Sequence, residues 1–263
     1  MTPPKPLITT ETVQHRDADG AGALPALLWR AGPGWRMISS AVLGGGIGTR
    51  SWVLNAQVGH GYTRRDPAAH LAEIAAGAGA GPGAVPGPAV RTAVAAGVGL
   101  MTAADVLGTR SHARDGGAEA LVTAGVGVCG WAAVPPAATL PHPGPGTINT
   151  LVALPVPLTD AALVNAVATA TEAKVQALFE CGCDASGTPT DAVCVAARAP
   201  RPGERAEEFA GPRSLWGARL ARAVRRATLR AVTLDAASRS PERERAPGGP
   251  PRAGRFPARR VSP

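Results

Sequence analysis

The sequence predicts an α+β fold. A single domain is expected, built on a largely antiparallel sheet that two long, late helices cover. Three observations carry this. Short β-branched and apolar runs, set apart by Gly and Pro clusters, fill the first half at hairpin-like spacing. Two long segments with apolar residues at helical spacing follow in the second half. Residues 236–263 are rich in Arg, Pro and Gly and nearly empty of apolar residues, so a disordered basic tail closes the chain. At 263 residues and 45% hydrophobic, the chain can bury a sizeable core, but aromatics make up only 3%, so Val, Leu and Ala must build it.

Residues 1–34 read as a Pro-rich lead-in followed, from 12 to 31, by a strand and a short amphipathic segment. The main domain is expected over residues 35–235. Trp35–Leu43 reads as a strand, and Gly44-Gly45-Gly46-Ile47-Gly48 as a hairpin turn into a second strand, Ser51–Val58. No Gly-Lys-Ser/Thr follows these glycines and their spacing is not G-x-G-x-x-G, so a phosphate loop is disfavoured. Alternation puts Val53, Asn55 and Gln57 on one face of that strand and Trp52 and Leu54 on the other. Asn55 is therefore a candidate ligand. His60 follows at the strand end, where a general base can sit, although a surface histidine fits equally.

Residues 67–76 predict a short helix with Pro67 in its first turn, and 77–89 a loop. Ala89–Val106 reads as a strand or strand pair. Asp105 stands there among apolar residues, and a buried carboxylate needs a partner. It is a site candidate, with a helix cap or a structural ion pair as the alternative. Residues 108–117 read as a polar loop, Glu119–Trp131 as a strand, and 135–145 as a Pro-rich loop.

The chain is organised around residues 144–197. Gly146-Thr147-Ile148-Asn149-Thr150 leads into an apolar run, Leu151–Leu158, expected to be a buried strand kinked by its prolines. Thr159 is a helix cap, Asp160 suits the positive helix end, and Leu158 can staple onto Leu163. The helix is expected over 160–179. Val164, Val167, Val175 and Leu178 mark its core face, with Thr171 in the middle and Glu172 and Lys174 on the two edges at about 100° per residue. Ser186 to Asp191 forms a polar cluster before a strand at Val193–Ala197. A last helix, Ser214–Thr233, carries Leu215, Leu220, Val224 and Leu229 against an arginine-rich face.

Composition narrows the function classes. Of 27 basic residues only Lys5 and Lys174 are lysine, and the only asparagines are Asn55, Asn149 and Asn165. An ammonium offers a compact charge that the planar Arg fork does not. The net charge of +8 is concentrated in the tail, which reads as solvated rather than as a nucleic-acid site. Cys129, Cys181, Cys183 and Cys194 make one C-x-C and no paired C-x-x-C, which disfavours zinc and a disulfide framework. No signal-peptide pattern opens the sequence, and no apolar run of about 18 residues lacks a charge. A cytoplasmic protein without membrane or nucleic-acid partners is the expectation.

Six stretches together resemble the adenosylcobinamide amidohydrolase family. They are Ser39-Ser40-Ala41 with its following glycines, Trp52-Val53-Leu54-Asn55-Ala56, Gly99-Leu100-Met101-Thr102-Ala103-Ala104, Gly146-Thr147-Ile148-Asn149-Thr150, Thr171-Glu172-Ala173-Lys174, and Gly187-Thr188-Pro189-Thr190-Asp191-Ala192. They fall in the family's order across residues 35–232. Pro189 departs from the family's Gly-Thr-Gly-Thr-Asp-Ala pattern. The resemblance implies an enzyme of corrinoid salvage that hydrolyses the amide joining a corrin side chain to aminopropanol, giving adenosylcobyric acid and 1-amino-2-propanol. A small corrinoid is then the partner, its cobalt belongs to the substrate, and no protein-bound metal or other cofactor is expected. Oligomeric state is left open.

Amide hydrolysis needs an attacking oxygen, a proton acceptor, charge stabilisation and a proton for the leaving amine. No Gly-x-Ser-x-Gly elbow is present. The candidates for catalysis are Glu172, Lys174, Asp191 and Asp105, and for substrate binding Asn55, Thr147, Asn149, Thr171 and Thr190. Water activated by Glu172 or Asp191, with Lys174 and Asn149 stabilising charge, is the preferred chemistry, and a threonine nucleophile stays open. A non-catalytic corrinoid-binding protein is the alternative.

Overall fold

The computed structural model describes residues 5–16, 22–80, 97–133 and 146–239. The expected Pro-rich loop at 135–145, most of the loop at 77–89 and the tail from residue 240 lie outside them. The fold is α+β, and its strands divide between two sheets instead of forming one. The first has four strands, β1 (Thr10–Arg16), β2 (Ala23–Arg30), β5 (Trp52–Gln57) and β6 (Gly97–Thr102), side by side in that order. The second has six, in the order β4 (Gly46–Thr49), β3 (Trp35–Ser39), β10 (Ala192–Arg198), β9 (Thr147–Leu154), β8 (Ala118–Gly125) and β7 (Ser111–Asp115). Neighbours are antiparallel except β5 with β6 and β10 with β9.

Three apolar clusters define four layers. Leu27, Val53, Leu100, Leu121, Leu151 and Cys194 fill the space between the sheets. Leu28, Trp52 and Leu54 pack outward against Leu71 and Ile74 of helix α1 (Pro67–Gly77). Val122, Ile148, Val152 and Val195 pack against helices α2 (Asp160–Glu180) and α3 (Leu215–Ser238) on the other outside face. The order is helix, sheet, sheet, helix pair. β8 and β9 are central and covered on both faces, so all eight residues of each are buried.

Several expectations shift for local reasons. The lead-in contributes two full strands, and β2 lies inside the first sheet. The glycine cluster holds a short strand of its own: β4 pairs with β3, and the chain then crosses to the other sheet. Gly44 sits at φ 70° in a tight crossing, where an added Cβ would come within 1.9 Å of the Gly97 carbonyl oxygen. The segment read as a polar loop at 108–117 contains β7, which turns into β8 through Gly116 and Gly117, both at positive φ. β9 starts at Thr147, earlier than expected, and stops before Pro155, because Pro155 and Pro157 have no N–H for the ladder.

The helix α2 is capped as the sequence suggests: the Thr159 side chain accepts from the Ala162 N–H. Its buried face is different. Ala162, Ala166, Thr169, Ala170, Ala173 and Ala177 are buried with Leu163 and Leu178, whereas Val164 is 58% exposed. Small side chains let the helix sit close to its neighbours, so the contact stripe follows alanine, not valine. Leu215 on α3 is likewise exposed, and the helix continues to Ser238, three residues into the segment expected to be tail. Among the described residues, no helix is long and apolar enough to cross a membrane.

Candidate active site

Parallel pairing of β9 with β10 sets Ala192 opposite Asn149 and Val193 opposite Thr150. The segment Gly187–Asp191, just before β10, therefore lies beside the start of β9. Lys174 reaches this strand end from α2. Its Nζ lies 2.5 Å from Asp191 Oδ2. The same carboxylate accepts the Ile148 N–H at 2.9 Å, the Thr188 N–H at 3.2 Å and the Thr188 hydroxyl at 2.5 Å. Asp191 thus has donors on both oxygens, two on each, which engages its lone-pair positions. Gly187 makes the approach possible: a Cβ there would stand 2.3 Å from Asp191 Oδ2 and 2.6 Å from Lys174 Nζ. The pair is partly open to solvent, with side-chain exposures of 12% for Lys174 and 17% for Asp191.

Beside Asp191, the Thr190 hydroxyl bonds to the Gly146 carbonyl at 2.9 Å and lies 2.5 Å from Thr147 Oγ1. A carbonyl only accepts, so Thr190 spends its one proton on Gly146 and Thr147 donates to Thr190.

Two clefts meet at this strand end. The larger, about 540 Å³, opens at the end of the gap between the sheets and is lined by Val58, His60, Tyr62, Met101, Thr147 and Thr190, among others. The smaller, about 280 Å³, lies on the helix side of the six-stranded sheet and is walled by Ile148, Thr150, Val167, Ala170, Thr171 and Lys174. Ser40, Asp191 and Ala192 line both. Ser40 is held by its own hydroxyl, which accepts the Val193 N–H at 3.1 Å.

Tyr62, the only tyrosine, stacks on buried His70, with Oη and Nδ1 3.2 Å apart. Burial pushes the Tyr62 phenol up, against the pull of Arg64, and it lowers the His70 imidazole with help from Arg64 and His15. Both rings are therefore neutral at neutral pH.

The expected site residues divide into three groups. Lys174, Asp191, Thr147, Thr190 and Thr171 line the clefts. Thr171 does so from an exposed position on α2, not from the middle of its core face, and its hydroxyl donates to the Val167 carbonyl. Asn55 and Asn149 are buried between the sheets and line neither cleft. Asn149 Nδ2 donates to Asn55 Oδ1 at 2.8 Å and to the Met101 carbonyl at 3.1 Å, and Asn55 Nδ2 donates to Thr123 Oγ1 at 2.8 Å. This network ties the sheets together beneath the larger cleft.

Glu172 and Asp105 line neither cleft. Glu172 is exposed, since the alanine stripe turns it to solvent. Asp105 is exposed too, contrary to its expected burial. Its Oδ1 accepts the Leu107 and Gly108 N–H groups at 3.0 and 2.9 Å, a local turn cap.

Ser40 and Tyr62 line the clefts and Thr188 holds Asp191, though none of the three is a candidate from the sequence. Thr188 had a signal: a threonine three residues before an aspartate in a loop is placed to bond to it. Ser40 has only its place in the Ser39-Ser40-Ala41 stretch as a signal, because it reaches the site just beyond the pairing of β3 with β10.

The four-layer sandwich thus sets a lysine–carboxylate pair where two clefts meet. The sequence matches the family described as adenosylcobinamide amidohydrolase over residues 9–240, and the chain belongs to that family. The match takes in β1 and β2, which the motifs left outside. Among curated proteins, none matches the chain. Family membership implies an amidohydrolase activity on adenosylcobinamide.

Proposed function

We propose that this protein hydrolyses the amide linking aminopropanol to the corrin side chain of adenosylcobinamide, giving adenosylcobyric acid and 1-amino-2-propanol in corrinoid salvage. The observation that carries this reading is the Lys174–Asp191 pair where the two clefts meet. Lys174 supplies fixed positive charge beside the amide, where negative charge develops as its carbonyl is attacked. Asp191 holds that ammonium. With both its oxygens engaged by donors, it is a positioning group rather than the proton acceptor.

Water is the attacking species in this reading. His60 lines the larger cleft, and an imidazole at a strand end is suited to act as a general base. We assign it the proton that the water loses. The water oxygen bonds to the carbonyl carbon, the C–N bond breaks with its electron pair on nitrogen, and His60 returns the proton there. Purified protein incubated with adenosylcobinamide should release 1-amino-2-propanol and leave a carboxylate on the corrin, both read by mass spectrometry. Intact substrate after incubation with folded protein across a range of pH would leave the non-catalytic corrinoid-binding reading instead.

A further inference from the structure

We propose that the two clefts divide the substrate between them: the smaller holds the amine half of the amide and the larger holds the corrin half. The scissile bond then lies at Ser40, Asp191 and Ala192, which line both. This rests on the hydrolase reading above and adds a direction to it.

Size is the first argument. At a water's share of about 30 Å³ per non-hydrogen atom, 1-amino-2-propanol takes at most roughly 150 Å³. It fits within the cleft of about 280 Å³. A corrin with its side chains has many times more atoms and exceeds either cleft, so it needs the roomier one, with part of the ring left outside. That is the larger cleft, where Val42 stands 63% exposed on the rim.

The linings are the second argument. Val42, Val58, Leu100, Met101 and Pro67 give the larger cleft an apolar wall suited to the edge of a macrocycle. Both clefts carry hydroxyls, those of Tyr62, Thr102, Thr147 and Thr190 in the larger and those of Thr150 and Thr171 in the smaller, with Ser40 shared, and it is Thr171 that suits the amine half. The Thr171 proton is already bonded to the Val167 carbonyl at 2.9 Å. Its oxygen can only accept a further bond, and the alcohol of the amine half has a proton to give. The placement of His60 fits the same direction. It lines the larger cleft alone of the two, on the side of the carbonyl carbon that water attacks.

Two variants separate the clefts. Thr171→Phe fills the smaller cleft from an exposed helix position, and Val42→Asp puts a charge on the rim of the larger. Adenosylcobyric acid affinity is read from the visible absorption of the corrin, and hydrolysis from amine release. Thr171→Phe should lower kcat/KM for adenosylcobinamide by about tenfold or more while adenosylcobyric acid binds within about twofold of wild type. Val42→Asp should weaken adenosylcobyric acid by about tenfold. Normal turnover in Thr171→Phe, or weakened corrin binding there with none in Val42→Asp, overturns the proposal. If the wild type binds adenosylcobyric acid but hydrolyses nothing, the hydrolase reading fails. The binding arms then still decide which cleft takes the corrin.

Discussion

Asp191 and Glu119 are two carboxylates with the same number of donors and opposite surroundings. Glu119 is fully buried in β8. It accepts the Leu7 N–H at 2.9 Å and the Ile8 N–H at 3.0 Å, and it meets Arg114 at 2.8 Å and His112 at 3.1 Å. It fastens the segment before β1 to β8, the strand next to the edge of the six-stranded sheet. Asp191 also takes four donors, but one is a lysine ammonium and the pair borders two clefts. Saturation with hydrogen bonds therefore does not separate scaffold from site. Access for a ligand does.

The comparison breaks most sharply at Lys174. Lys174→Met should lower turnover by about 10²–10³-fold, the scale of losing a preorganised charge-stabilising donor. Its melting temperature should stay within a few degrees, because the pair is partly solvated. Equal loss of stability and activity would make Lys174 a second Glu119.

Glu119→Ala should do the reverse. It orphans the Leu7 and Ile8 N–H groups and costs about 2–4 kcal/mol in denaturant unfolding. Turnover per folded molecule should change little. Burial alone would raise the Glu119 carboxyl, but the bonds from His112, Ile8 and Leu7 and the charge of Arg114 outweigh it and hold the group below its ordinary value. A depressed folded value means stability present above the unfolded carboxylate range, near pH 4.3, and lost as pH falls through the folded value below it. The stability gap between wild type and Glu119→Gln should therefore close in acid. A gap that stays constant from pH 7 to pH 3 would contradict this.

Asn149→Ala tests the ground between the two. It removes bonds to Asn55 and to the Met101 carbonyl, at a cost of about 1–3 kcal/mol. Met101 lines the larger cleft, so KM should rise before kcat falls. A fall in kcat with unchanged KM would place Asn149 in the chemistry. The smallest effect is expected at Glu172→Gln, an exposed helix position outside both clefts: turnover within about twofold and stability within about 0.5 kcal/mol. A drop like that of Lys174→Met would restore Glu172 as the proton acceptor.

Much of this protein was legible because its signals are local. Thr159, Asp160 and the residues before Pro155 fix where a strand ends and α2 begins, through a cap, a dipole and a missing N–H. The scarcity of lysine marks out Lys174, which the structure brings to a cleft. Glu172, two residues away, takes the equivalent edge on the helical wheel. The helical wheel gives angles between side chains but not which face meets the core.

That choice was made by tertiary packing. The sequence by itself determined the three helices, most of the longer strands and the polar residues on offer, but not β4, β7 or the span of β9. Only the assembled fold decided that alanine, not valine, would face inward on α2, since close approach favours small side chains and hydrophobicity does not announce it. Only the assembled fold split the strands between two sheets. And only the parallel pairing of β9 with β10 brought Ile148 to Asp191, 43 residues apart, because ladder pairing is a long-range choice that neither strand carries within itself.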